Sequence, residues 1–386
     1  MDDLVTENMT LECVNVNGTL MQVSSSVALI NGYFTPPVVL FTVITNILVC
    51  VVLLKPHMRN PTNTMLVSMA LSDMFTGLVA LPPYFFFYTM GRYVEYLPYD
   101  WCYIYECLTE YLPTLFHTAS IWLTVALALQ RYMCICHSTL ANRWSTIPNV
   151  IVATGIIYVA ATASQICRFF DSDYIPMSVP SAVDKRYLVD TCCVRRAAFI
   201  RDWLDAYFNI YYWFRIVFIH LIPCSSLVAL NAILIIVMRT AQARRRQLLM
   251  QNRKTESRRL KDSNCTTFML VVVVAVFLVV EFPLGIIITL YVIGNTFQVT
   301  ALIMAFEVPS MYINFLIILS YPLNFFIYCV MSRQFRETFK RLFVPGSSRP
   351  VSSTQSHYQT IATENGLVGK SAVTADTRIR QSESSL

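Results

Sequence analysis

Charge is what this sequence has least of: Asp, Glu, Lys and Arg make up 13% of its residues, where a globular domain carries roughly a quarter. Glycine is scarce too, ten in 386 residues, and no internal repeat is visible. That argues against a transporter, whose fold is commonly built from repeated halves with interrupted helices at the site. No His/Glu pair at metal-ligand spacing and no nucleophile elbow is present, so nothing supports an enzyme. The N-terminus is acidic (Asp2, Asp3, Glu7, Glu12) and lacks the basic stretch that opens a cleavable signal peptide. The first apolar segment is therefore expected to serve as the signal anchor.

What charge vacates, apolar residues fill. Stretches near 36–54, 64–90, 108–136, 148–167, 206–238, 264–290 and 306–330 are each long enough to cross a bilayer as helix. No charged residue lies between Glu12 and Lys55, and only Asp73 lies between Arg59 and Arg92. The expected fold is an all-α membrane protein, a seven-transmembrane helix bundle followed by a short amphipathic eighth helix.

Orientation follows from the basic bias of short inner loops. Residues 239–262 carry nine Lys and Arg against Glu256 and Asp262, whereas Asp100, Glu106 and Glu110 mark the opposite side. The N-terminus is expected outside and the C-terminus inside, in a multi-pass plasma-membrane protein. The partition is then an extracellular segment over 1–35, the bundle over 36–330, the amphipathic helix over 331–343 and a disordered cytoplasmic tail over 344–386. Asn8 and Asn17 begin glycosylation sequons on the outer segment. The basic run between two membrane helices is read as extending both helices into the cytosol, in contact with anionic lipid and an intracellular partner, not with nucleic acid. The tail is rich in Ser and Thr, including Ser347, Ser352 and Ser384, and has few large apolar residues.

The third stretch ends in Gln130-Arg131-Tyr132, and an arginine at the mouth of a membrane helix is costly unless used. With Asn46, Ala70-Leu71-Ser72-Asp73, Pro223, Phe277, Pro283 and Asn324-Phe325-Phe326-Ile327-Tyr328, this pattern resembles the rhodopsin-type G-protein-coupled receptors over roughly residues 30–343. Ser332 to Phe339 resembles their eighth helix. Within that family, His117 to Thr124, Arg168-Phe169-Phe170-Asp171 and Asn264-Cys265-Thr266-Thr267 are similar to the invertebrate sex-peptide/myoinhibitory-peptide receptor group. The resemblance implies a neuropeptide ligand, amidated and Trp-containing, and coupling to inhibitory heterotrimeric G proteins. It also implies that arrestin and receptor kinases act through the tail. A retinal photoreceptor is excluded because no lysine lies between Glu307 and Arg333. An amine receptor is disfavoured because 111–130 holds no acid.

The same resemblance assigns the switch for G-protein coupling to Gln130, Arg131, Tyr132, Asn324 and Tyr328. It places Asn46, Ser120, Ser320 and Asn324 around Asp73. These oxygen-bearing groups suit a sodium ion, and the alternative is a protonated Asp73 in a hydrogen-bonded cluster. Gln130 replaces the acid that normally holds the arginine, so Asp262 is a candidate substitute partner.

Glu281 stands where the family has tryptophan. It either meets a donor on the ligand or forms an internal pair with Arg215 or His220, since a lone buried charge is costly. With Tyr211, these residues are the candidate pocket. His117 and Trp122 are read as packing residues. Cys192 and Cys193 lie in the outer loop that the family tethers to its third helix, and Cys102 and Cys107 are both candidate partners. Two bridges, or one to Cys13, are also open.

Overall fold

The computed structural model describes residues 25–251, 253–297 and 299–344. Within the helices, the side chains of 25, 26, 138, 254, 256, 258–263, 295, 300–308 and 310 fall outside that description. Seven helices are long and apolar enough to cross a membrane: Val27–Leu53, Pro61–Thr89, Tyr99–Cys136, Ile147–Phe169, Leu204–Met250, Asn264–Gly294 and Met311–Met331. They are called here the first to seventh spans.

Local chemistry sets several ends. The second span starts where the Asn60 side chain accepts a bond from the Asn63 amide at 2.8 Å, and Thr146 caps the fourth in the same way. Gly91, at φ 73°, turns the chain after the second span, a left-handed conformation that favours glycine. The first two spans pack closely at Gly77, where an added Cβ would stand 3.2 Å from Val39. The Ser72 and Tyr158 hydroxyls, 2.6 Å apart, join the second span to the fourth.

Three features bear on the site: two depart from the sequence expectation, and the extension of the fifth and sixth helices through the basic run meets it. The third span begins before residue 108, because helical turns already run from Tyr99 and Cys102. The fifth continues through the basic run to Met250, and the sixth belongs to a helix that starts at Lys254. Long basic side chains favour helix and need no burial, so the apolar count stopped short of both ends. The seventh is not continuous: Thr300–Ser320 ends at Tyr321, and Leu323–Met331 restarts after Pro322, which has no amide hydrogen to donate.

Hydropathy gave no sign of a β-hairpin. β1 (Ser172–Pro180) and β2 (Leu188–Arg196) pair antiparallel, with Ile175 opposite Cys193 and Pro176 opposite Cys192. Arg333–Phe343 is a separate amphipathic helix, with Phe335 and Phe339 one turn apart and Phe339 against Phe343 at 4.9 Å.

Candidate functional site

Two polar clusters lie in the middle of the bundle. In the first, Asp73 is 2% exposed; it accepts bonds from Ser120 Oγ at 2.6 Å and from Asn324 Nδ2 at 3.3 Å. Asn46 instead donates to the Thr42 carbonyl at 2.9 Å on its own helix, and Ser320 donates to the Ile317 carbonyl at 2.7 Å. Asp73, Ser120, Ser320 and Asn324 nevertheless line one cavity of about 20 Å³, and Glu281 reaches it as well. A single water needs about 10–15 Å³, so the space suits one water or one small ion. The donors are all hard oxygens, which fits sodium better than a soft metal.

The second cluster is built on Glu281, which is 2% exposed. Its Oε1 lies 3.1 Å from His117 Nε2, and its Oε2 lies 3.8 Å from His220 Nδ1. His117 Nδ1 in turn meets the Tyr321 hydroxyl at 3.0 Å. Third, fifth, sixth and seventh spans therefore converge on one carboxylate.

Two expectations are corrected here. His117 is the near partner of Glu281 and not a packing residue. Arg215 is not its partner: Arg215 Nη1 donates to the Tyr211 hydroxyl at 3.4 Å, and the guanidinium lies 5.8 Å from that ring. The reason is the helix itself. Arg215–Leu221 is a π-helical stretch before Pro223, and its i→i+5 repeat stacks His220 one turn beyond Arg215, at the level of Glu281 on the sixth span. Trp122 packs beside Val125, Leu227 and Val274, as a packing residue would.

Towards the end of the bundle that carries the hairpin, Tyr211 donates to Gln165 Oε1 at 2.8 Å. Arg168, 6% exposed, bridges Glu110 at 3.1 Å and the fully buried Asp171, with the rings of Tyr111, Phe208 and Tyr211 about it. The hairpin is tied down by the Cys102–Cys192 disulfide. Cys193 is also disulfide-bonded, and a bridge to Cys13 concerns a residue outside the described ones. Cys107 carries a free thiol. It sits five residues further along the helix, roughly 7–8 Å from the turn that meets β2. Glu95, on the loop before the third span, accepts bonds from the Ser181 hydroxyl and the amides of Tyr96 and Ala182. Burial alone would raise its carboxyl, but these bonds outweigh it and hold the group below the usual carboxylate range.

At the opposite end, Arg131 and Tyr328 line a cavity of about 500 Å³ with Asn142 and Ser145. Gln130 does not hold Arg131; its Nε2 donates to Ser145 Oγ at 2.8 Å. Arg131 Nε is buried with no hydrogen-bond partner among the described residues. Tyr132 faces His137 at 3.3 Å. The side chain of Asp262 lies outside the described residues, as do Asn8 and Asn17.

Seven spans, a polar core on the second and third, an arginine at the mouth of the third and a disulfide-tethered outer hairpin define a G-protein-coupled receptor. The sequence pattern of the serpentine type 7TM GPCR chemoreceptor family Srw matches residues 33–346. The chain is 40% identical to the sex peptide receptor of Drosophila melanogaster over 322 residues, 81% of this chain and 72% of that one. It is 37% identical to sex peptide receptor-related protein 2 of Caenorhabditis elegans over 337 residues, 86% of this chain and 75% of that one. An FMRFamide receptor of Drosophila melanogaster is 24% identical over 376 residues, 93% of this chain and 62% of that one. The chain belongs to the rhodopsin-like G-protein-coupled receptors, in the sex-peptide receptor group.

Proposed function

We propose that this multi-pass membrane protein is a plasma-membrane receptor for an extracellular neuropeptide, an amidated peptide of the myoinhibitory type. Its N-terminus is outside, with Asn8 and Asn17 glycosylated, and its tail is inside, where receptor kinases and arrestin act. It couples to inhibitory heterotrimeric G proteins through the cavity that holds Arg131. The observation that carries this reading is the 40% identity, across 81% of the chain, to a receptor named for a peptide.

The inner ends of the outer cluster supply the pocket floor. Arg215 and Tyr211 offer donors, and Glu281 Oε2 lacks a hydrogen-bond partner among the described residues. Such a floor complements a ligand end that both accepts and donates, as a primary amide does. Below it, Asp73 with Ser120, Ser320 and Asn324 holds a sodium ion in the resting receptor, its charge answering the buried carboxylate.

Cells expressing the full chain, exposed to amidated neuropeptides and to their free-acid forms, provide the test. A fall in cyclic AMP, seen only with an amidated myoinhibitory-type peptide, supports the reading. A response confined to peptides ending in Arg-Phe-amide would favour a second reading, which the FMRFamide receptor match supports. Loss of the response when the G protein is changed from the inhibitory to the stimulatory class would support the coupling assignment.

A further inference from the structure

We infer that the inner ends of the fifth and sixth spans form a binding site for the phosphate-bearing headgroup of a membrane lipid. Gln242, Arg245, Arg246 and Asn264 line a cavity of about 320 Å³ there, with Leu249 and Phe268 on its apolar side. It lies apart from the Arg131 cavity: no residue lines both.

The donors are aimed without an acceptor. Arg245 Nε and Asn264 Nδ2 are both buried from solvent and have no hydrogen-bond partner among the described residues. Among the described residues no carboxylate lines the cavity or pairs with Arg245 or Arg246. Buried donors left unmet in an open groove call for an acceptor with several oxygens, because an unsatisfied buried donor is costly. Arginine forks match phosphate in particular, through paired N–H···O bonds.

Position selects the source of that phosphate. The last uncharged run of the fifth span ends at Met238, so Arg245 stands about 10 Å beyond the apolar region, at headgroup depth. Phe268, 52% exposed and inside the sixth span, gives the membrane side of the rim an apolar margin that suits the root of an acyl chain. A soluble anion has no use for that margin. The surrounding stretch 239–262 carries nine basic residues against two acids, which raises the local concentration of anionic lipid. The inference rests on the inward placement of this end proposed above, whereas its test does not require signalling or a known peptide.

Full-length receptor, purified in detergent, is titrated with a short-chain phosphatidylinositol phosphate and followed by native mass spectrometry. Parallel arms use the free inositol phosphate and inorganic phosphate. Wild type is expected to bind the lipid more tightly than either soluble anion. The Arg245→Gln/Arg246→Gln receptor should lose about tenfold or more in affinity, and Asn264→Ala less, while Arg244→Gln, outside the cavity, stays near wild type. Equal losses for Arg244→Gln and the double variant would show diffuse attraction and overturn the site. Equally tight binding of free inositol phosphate would overturn the lipid assignment, as would absence of lipid binding by wild type. Because the readout is binding by purified protein, these failures leave the peptide-receptor reading untouched, and failure of that reading leaves the site standing.

Discussion

His117 Nε2 stands 3.1 Å from Glu281 Oε1, and this contact joins the third span to the sixth at the place where the family resemblance leads one to expect a tryptophan. A tryptophan at that place acts by shape. A carboxylate acts by charge, and it needs a partner because an unpaired buried charge costs roughly 3–5 kcal/mol. His117→Ala should therefore lower the thermal unfolding midpoint of solubilised receptor more than Glu281→Ala, since it strands the buried carboxylate with only the distant His220, whereas loss of the carboxylate leaves imidazoles that can go neutral. In a double-mutant cycle with His117→Gln and Glu281→Gln, a coupling of about 0.5–3 kcal/mol is expected. Additive effects would sink the pair as a functional unit. Wild-type agonist response in Glu281→Gln would remove its role in switching.

The outer hairpin gives a sharper contrast between two cysteines. Cys102 is bridged to Cys192 and Cys107 is not. Cys102→Ser should abolish surface expression or peptide binding, at a cost of about 2–5 kcal/mol in stability. Cys107→Ser should leave both unchanged. Surface labelling of cells expressing each variant distinguishes them, and the reverse order would contradict the pairing.

How far the sequence carried depended on what each feature rests on. Span number and Asp73 were legible because apolar length and a lone intramembrane acid are one-dimensional signals. For Glu281 the sequence offered His220 or Arg215 as partner but not the choice between them, because a π-helical stretch from Arg215 to Leu221 stacks the two one turn apart on the same side of the fifth span. His117 looked like packing because nothing in its own segment names a partner on the sixth span. The hairpin was hidden because its strands alternate poorly and bury little. A weak signal did exist at Arg168-Phe169-Phe170-Asp171, where an acid three residues after an arginine forms the buried pair that anchors the hairpin's start.

Asp73 provides a test by ion substitution. If sodium sits among Asp73, Ser120, Ser320 and Asn324, agonist affinity in membranes should fall as sodium replaces a bulky organic cation. Asp73→Asn should flatten that dependence, and Ser120→Ala should weaken it. Equal sodium sensitivity in wild type and Asp73→Asn would leave the cavity to water.

Glu95 sets an acid limit on the hairpin. Its carboxyl is held below the ordinary range, because bonds from Ser181, Ala182 and Tyr96 outweigh the effect of burial. A group with a lowered folded pKa contributes stability above its unfolded pKa and loses it as pH falls through the folded value. The unfolding midpoint should therefore drop on acidification more in wild type than in Glu95→Gln, which has no proton to gain. Parallel curves for the two proteins would show that the latch at Ser181 does not govern the acid limit.

Gln130 and Arg131 are adjacent, yet Gln130 turns to a loop and leaves the arginine. Gln130 donates to Ser145 in the second inner loop at 2.8 Å, while Arg131 Nε has no hydrogen-bond partner among the described residues. The arginine thus lacks the local carboxylate that holds it in most relatives, and the resting state depends on contacts elsewhere. Restoring the acid with Gln130→Glu adds a charge-assisted bond of about 1.5–3 kcal/mol next to Arg131, enough to shift a two-state population roughly tenfold. Basal nucleotide exchange on the G protein should fall accordingly in membranes from cells expressing the variant. Ser145→Ala separates the two effects: it frees Gln130 without adding charge, so basal exchange should change far less. If Gln130→Glu leaves basal exchange at the wild-type level, Arg131 is already held by another contact, and the missing acid has no bearing on the resting state.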